Sequence, residues 1–318
     1  MNRQFSFPYN GEDVDVYLKR LERYFSYIHD VYLGTPVAED FFSQAIRFHN
    51  PQYYDKCHEF LKTVKDTKLK TVIVLNGNYD NIPLSKRKEF INAVFDYIKE
   101  MNIYGVVCSD FIIAERLHLE FPELEINTSC NCPHYEINHL NIWRRLAGVS
   151  LVNPPRDTSR NFSYLKKLKE AGYRIKLLIN ETCYLSCPFI SSFCNVSQEK
   201  RLCIRYHPRI INDALNPFKL CIIFPNWLKK YDEVVDIYKI SGRFSSTDYI
   251  FNLLDIFAKY PERSCYMTDL IEKFPEDMKI KTDNIPLYIS DCDKNCNDCR
   301  MCDSLFRLKI KEANSSKI

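Results

Sequence analysis

Fourteen cysteines stand in a chain of 318 residues, and eight of them fall in two short runs. The first run is Cys183-x3-Cys187-x6-Cys194-x8-Cys203, with Cys221 following at a distance. The second is Cys292-x3-Cys296-x2-Cys299-x2-Cys302. Thiolates at such spacing either crosslink in an oxidising compartment or hold a metal. The opening residues, Met-Asn-Arg-Gln-Phe-Ser-Phe-Pro, lack the apolar stretch of a secretory signal. No apolar run reaches the ~18 residues of a membrane span. A cytoplasmic protein is the expectation, and metal ligation is then the first reading of clustered thiols. Cys57, Cys108 and Cys265 stand singly beside apolar residues and read as buried free thiols.

The spacing separates the candidate metals. Structural zinc commonly uses two Cys-x2-Cys knuckles separated by a longer loop. The tight spacing of Cys292, Cys296, Cys299 and Cys302 suits a 4Fe–4S cube better, with zinc as the alternative. The first three of these also share the C-x3-C-x2-C spacing of radical-SAM enzymes. That motif belongs after the first strand of a barrel, whereas here it follows the last elements, so an accessory centre is expected. The first run is looser. Cys183 and Cys187 are its leading ligand candidates, Cys203 and Cys221 come next, and Cys194 is a bystander. His134 and His139 do not form an H-E-x-x-H pair and read as surface polarity on a helix.

These residues need a scaffold. Eight short runs rich in Val, Ile, Leu and Tyr occur at residues 5–8, 30–33, 71–75, 104–108, 124–128, 149–152, 174–179 and 236–240. Between them lie amphipathic stretches, among them 13–29, 86–101, 111–121, 137–147 and 159–171, with apolar residues recurring at three and four. Thr158 or Ser159 reads as the start of the last of these, and Gly172 as its end. Eight strands alternating with helices is the count of a (β/α)8 barrel of the TIM type, the expected α/β fold. A doubly wound sheet would announce a Gly-rich first turn, and the seven glycines include no G-x-G-x-x-G. The expected organisation is a barrel over 1–262, with a cysteine-containing insertion over 183–233 after the seventh strand. A small helical, cysteine-rich extension follows over 263–318.

In such a barrel, chemistry sits at the carboxyl ends of the strands. That restricts the candidates to residues such as Asn76, Asp110, Ser129, Asn131, Asn153, Arg156, Asp157, Asn180, Glu181, Cys183 and Arg243. Arg156 and Arg243 have the chemistry to clamp a carboxylated donor. The competing role for Arg243 is an ion pair with Asp248 or Asp157. Glu181 has the chemistry to carry a proton. Net charge is +3, too mild to argue for nucleic acid by itself, although Lys200–Arg209 is dense in cations.

Several stretches resemble a known family, the U32 or collagenase-like peptidases, roughly from Asp30 to Tyr260. The supportive ones are "DVYLG", "YGVVCSDFIIAERLHLEFPELEINTSCN" and "VSLVNPPRDTS". The specific ones are "IKLLINETCYLSCPF" and "VVDIYKISGRFSSTDYI". The resemblance implies a barrel-like fold and a 4Fe–4S cluster at the mouth, on Cys183, Cys187, Cys203 and Cys221. It implies oxygen-independent hydroxylation of an acceptor, as in relatives acting on RNA bases or on the ubiquinone ring. By matching position it implies Ser129, Arg156, Glu181, Lys239 and Arg243 as the catalytic pocket. This chain departs from the family pattern with Asn131 in place of Gln and Asp157 in place of Glu. Its second cysteine run stands where RNA-modifying members carry a further domain. A partner subunit receiving or supplying electrons, without catalysis of its own, is the alternative function. Peptidase activity, the family label, is another, though no Ser-His-Asp, Cys-His or zinc constellation is evident. The expected ligand is a small anionic donor or substrate.

Overall fold

The computed structural model describes residues 3–37, 51–77, 84–185, 187, 216–260, 265–272, 274–276 and 279–315. Its centre is a closed barrel of eight parallel strands. They are β1 (Phe5–Pro8), β2 (Ile28–Gly34), β3 (Thr71–Leu75), β4 (Gly105–Cys108), β5 (Glu125–Thr128), β6 (Leu151–Val152), β7 (Arg174–Leu178) and β10 (Ile237–Lys239). The order around the barrel is β1-β10-β7-β6-β5-β4-β3-β2. Each of the eight runs read from the sequence supplies one strand. Their apolar residues are nearly continuous because a parallel barrel buries both faces of each strand. Phe5, Phe7, Leu33, Ile73, Val106 and Ile175 face the surrounding helices within one large core.

The interior is less conventional. Tyr32, Val72, Val74 and Val107 form a small apolar cluster separate from that core. Beside them the barrel carries charge. Lys176 Nζ lies 2.9 Å from Asp30 Oδ2, and both side chains are fully buried. Strands β2 and β7 are not neighbours in the barrel, so this ion pair crosses the lumen. Ser6 Oγ donates to Asp30 Oδ1 at 2.6 Å, and His29 Nδ1 lies 2.7 Å from Oδ2. Burial alone would raise the Asp30 pKa. The charge of Lys176 and the hydrogen bonds from His29 and Ser6 outweigh it and hold the carboxyl well below the usual carboxylate range.

Local chemistry explains where the elements begin and end. The stretch 13–29 is helical only as α1 (Val14–Leu21) and a 3-10 segment (Glu22–Tyr27). Asp13 caps α1 by accepting from the Asp15 and Val16 amides. His29 belongs to β2, where pairing to β1 begins at Ile28. The helix expected to start at Thr158 or Ser159 instead starts at Phe162. Asn161 caps it by accepting from the Tyr164 amide, and Thr158 closes the preceding 3-10 turn, Arg156–Thr158. Gly172, with φ +77°, ends this helix in the left-handed region as expected.

The excursion between β7 and β10 begins at Asn180. Strand β8 (Asn180–Tyr184) pairs antiparallel with β9 (Leu220–Ile222), outside the barrel. Residues 188–215, with Cys194, Cys203 and the basic stretch Lys200–Arg209, lie outside the described residues. The segment after residue 264 packs onto the barrel: Cys265, Met267, Leu270, Ile289, Leu305 and Phe306 join the same large core. The junction expected at residue 262 lies outside the described residues. No helix among the described residues is long and apolar enough to cross a membrane.

Candidate active site

At the carboxyl ends of the strands the mouth opens into a cavity of ≈ 340 Å³. Its chemistry comes from six places in the chain: Tyr32 on β2, Cys130 after β5, Arg156 after β6, Glu181 on β8, Lys239 on β10 and Arg243 just beyond it. Four of the five residues expected in the pocket therefore line it. The fifth, Ser129, is fully buried beneath the rim, where its hydroxyl accepts from the Asn131 amide at 3.2 Å. The turn that Ser129 closes presents its neighbour Cys130 to the cavity instead.

Arg156 and Glu181 meet each other. Arg156 Nη1 lies 3.0 Å from Glu181 Oε2 and 3.9 Å from Cys183 Sγ. This partly buried pair ties the loop after β6 to the start of the excursion. The two groups are consequently a linked unit at the rim, with Arg156 holding a carboxylate of the protein itself.

Lys239 and Arg243 are arranged differently. The Lys239 ammonium sits over the Tyr32 ring, 4.2 Å from its centroid. Among the described residues it makes no ion pair or hydrogen bond. Burial, first, pushes its pKa down to about 7; the cations Lys176 and Arg243 push the same way, while Cys130 and Asp30 oppose. Arg243 also has no acidic partner among the described residues. Its two sequence candidates are engaged elsewhere: Asp248 pairs with Arg20 at 2.7 Å and Asp157 with Lys294 at 2.8 Å. The turn carrying Arg243 requires Gly242, whose φ of +146° suits glycine and whose Cβ, if present, would stand 2.5 Å from Ile250 Cγ2. Asn180 fixes that turn from the other side. Its amide nitrogen donates to the Ser241 carbonyl at 3.0 Å, and its amide oxygen accepts from the Ser241 N–H at 2.6 Å.

Tyr32 and Glu272 were missed as pocket residues by sequence reasoning. Tyr32 stands within the "DVYLG" stretch, so a rim search that included residues inside the strands would have found it. Glu272, bonded to Ser245 Oγ at 3.0 Å, comes from the segment beyond the barrel and had no spacing signal.

Cys183 and Cys187 are half-buried at the start of the excursion, and Cys221 is fully buried in β9. Of the second run, Cys292 and Cys302 are half-buried and Cys299 is exposed; the side chain of Cys296 lies outside the described residues. Soft thiolates are the right donors for iron–sulfur chemistry or zinc. Among the described residues, however, no three His, Cys, Asp or Glu side chains are gathered as a metal ion requires. His134 is neither helical nor exposed. It precedes the helix Ile137–Ala147 and packs edge-on against Trp143 at 4.9 Å, and burial pushes its pKa down to about 4.

The cysteine-rich tail also docks on the loop that carries Arg156. Arg160 is fully buried, and its guanidinium donates to the carbonyls of Ile289, Phe218 and Leu220. The Cys292 N–H donates to the Arg160 carbonyl at 2.7 Å, and the Phe162 N–H to Asp291 at 3.1 Å. Lys294 pairs with Asp157. The loop that supplies Arg156 to the mouth is thus the loop on which the tail docks.

No protein-family model matches the chain. An uncharacterized protease of Methanocaldococcus jannaschii is 24% identical over 302 residues, covering 89% of each chain. The solved structure of the U32 peptidase Mk0906 superposes with a TM-score of 0.51 at 11% identity, covering 76% of this chain and 93% of that one. An uncharacterized B. cereus protein gives a TM-score of 0.46 at 11% identity, covering 87% of this chain and 70% of that one. The resemblance to the U32 family read from the motifs is supported by the first two, and the barrel by the second.

Proposed function

We propose that the mouth cavity binds a small carboxylate-bearing compound and is the working centre of an iron–sulfur-dependent modifying enzyme. The reaction proposed is oxygen-independent hydroxylation of an acceptor. One observation supports the binding half most: two cations, Lys239 and Arg243, converge on the cavity without an acidic partner among the described residues. A planar guanidinium suits a carboxylate, and a low-dielectric pocket strengthens the attraction. Glu181, held by Arg156 at the rim, is the residue proposed to take or give a proton.

Cys183, Cys187, Cys203 and Cys221 are the thiols proposed to hold the 4Fe–4S cluster. The cluster would supply an electron-rich, coordinatively adaptable metal beside the pocket. Cys292, Cys296, Cys299 and Cys302 are proposed to hold a second centre, 4Fe–4S or zinc. The U32 resemblance supports the first assignment, and the tight thiol spacing supports the second.

Purification without oxygen tests this reading. Near eight irons per chain with a broad charge-transfer band is expected for two cubes. About four irons with one zinc would make the tail centre a zinc site. Cys183→Ala should lose the mouth iron and keep the tail metal. An iron-free, colourless protein overturns the iron–sulfur reading. The M. jannaschii relative carries the name protease, which favours peptidase activity as the second reading; gelatin cleavage that survives Cys183→Ala would establish it.

A further inference from the structure

We infer that Lys239 is a nucleophile that forms an imine with a small carbonyl compound whose carboxylate is bound by Arg243. The inference rests on the anion-binding half of the proposed function and is independent of iron. It assigns the pocket a substrate class, the 2-oxo acids, and a covalent step.

The geometry carries it. A lysine that merely stabilises a fold pairs with a carboxylate or reaches solvent. Among the described residues Lys239 pairs with no carboxylate, and it is only 7% exposed while lining the cavity. Its Nζ is seated on the Tyr32 ring, and Tyr32 is itself fixed by donating to the Ile240 carbonyl at 2.7 Å. The amine is therefore held at the floor of a cavity whose rim carries Arg243. Its charged surroundings are Lys176 on β7, Asp30 on β2, Cys130 after β5 and Arg243. Asp30 is already committed to Lys176, His29 and Ser6 and, among the described residues, makes no ion pair with Lys239. An amine desolvated among other cations is partly neutral near pH 7, the state that attacks a carbonyl.

The step balances without an added oxidant or reductant. The Nζ lone pair adds to the carbonyl carbon, and the C=O π pair moves to oxygen. The carbinolamine then expels that oxygen as water, whose two hydrogens are those of the amine. A C=N bond remains, and hydrolysis reverses the sequence. Arg243 would set orientation by holding the carboxylate, so that the adjacent carbonyl faces Nζ.

Borohydride trapping on the full chain tests this. Pyruvate with sodium cyanoborohydride at pH 7 should add one group per chain, of the mass of pyruvate less one oxygen, on the peptide carrying Lys239. Lys239→Arg should abolish the adduct while leaving the iron content as in the unsubstituted protein. Arg243→Gln should lower pyruvate trapping about tenfold or more. It should leave trapping of acetaldehyde, which has no carboxylate, at Lys239. Since the first readout maps an adduct on the unsubstituted chain, it does not depend on any variant folding. Adducts spread over surface lysines, or calorimetric pyruvate binding with Lys239 unmodified, overturn the imine and leave the anion pocket standing. Neither binding nor trapping of pyruvate overturns both.

Discussion

The barrel mouth and the cysteine-rich tail are opposites in how they are built. The tail has four cysteines within one short stretch, at the most regular spacing in the chain. Yet Cys292 and Cys302 are half-buried, Cys299 is exposed, and no three ligating groups are gathered among the described residues. The mouth has no spacing at all. Tyr32, Cys130, Arg156, Glu181, Lys239 and Arg243 come from stretches more than two hundred residues apart at the extremes and line one cavity. Spacing along a chain reports which groups can meet without help from the fold. A site built by a barrel needs no such spacing, because parallel strands deliver their carboxyl ends to one rim.

The two regions also differ in how their charges are satisfied. The tail is held by a buried cation that meets carbonyl oxygens, Arg160, and by ion pairs such as Lys294–Asp157 and Lys219–Asp303. The mouth keeps Lys239 and Arg243 without acidic partners among the described residues. Groups left unsatisfied in a cavity cost stability and are retained where a ligand completes them.

The comparison breaks most visibly if the lumen charge is removed. Asp30→Ala strands Lys176 in the interior and should cost about 3–5 kcal/mol, read as a lower denaturant midpoint. An unchanged midpoint would mean that the lumen pair does not support the mouth. Next in size is Arg160→Met, which leaves the carbonyls of Ile289, Phe218 and Leu220 without their donor and should cost about 3 kcal/mol. Hydrogen exchange should then quicken around residues 287–294 before it quickens in the barrel strands. Uniform quickening would show that tail and barrel open as one unit.

Lys239→Met sharpens the contrast with a pH dependence of known sign. The folded-state pKa of Lys239, about 7, lies below the ordinary lysine value of about 10.4. The unfolded chain therefore binds more protons between these values, and lysine destabilises the fold increasingly as pH falls through that window. Lys239→Met should be more stable than the unsubstituted protein, fully so below pH 7, with the gain shrinking toward pH 10. Urea melts at pH 6.5, 8 and 9.5 would show it, and a pH-independent difference would refute the buried-amine assignment. The smallest stability effect is expected at Arg243→Gln, about ±0.5 kcal/mol, because that guanidinium has no acidic partner to lose among the described residues.

The fold was legible for a physical reason. A parallel barrel strand is buried on both faces, so runs such as 71–75 and 174–179 stand out as apolar blocks between amphipathic helices. Cap residues were less so. Asn161, rather than Thr158 or Ser159, starts its helix because the two prolines at 154 and 155 lead first into a 3-10 turn. Arg156 looked like a ligand clamp, and only the structure shows Glu181 already in its grip. Ser129 and Cys130 illustrate the finest limit: adjacent residues, one buried under the rim and one facing the cavity, decided by a single turn. Glu272 was invisible because nothing in its neighbourhood predicts that the segment beyond the barrel folds back to the mouth.

Calorimetric titration with pyruvate tests most directly that the mouth, rather than the tail, is where this protein works. Three chains suffice: the unsubstituted protein, Arg243→Gln and Cys299→Ser. The account predicts binding to the first, a loss of about tenfold or more in affinity for Arg243→Gln, and unchanged affinity for Cys299→Ser. Undiminished binding to Arg243→Gln, with binding lost in Cys299→Ser, would contradict it.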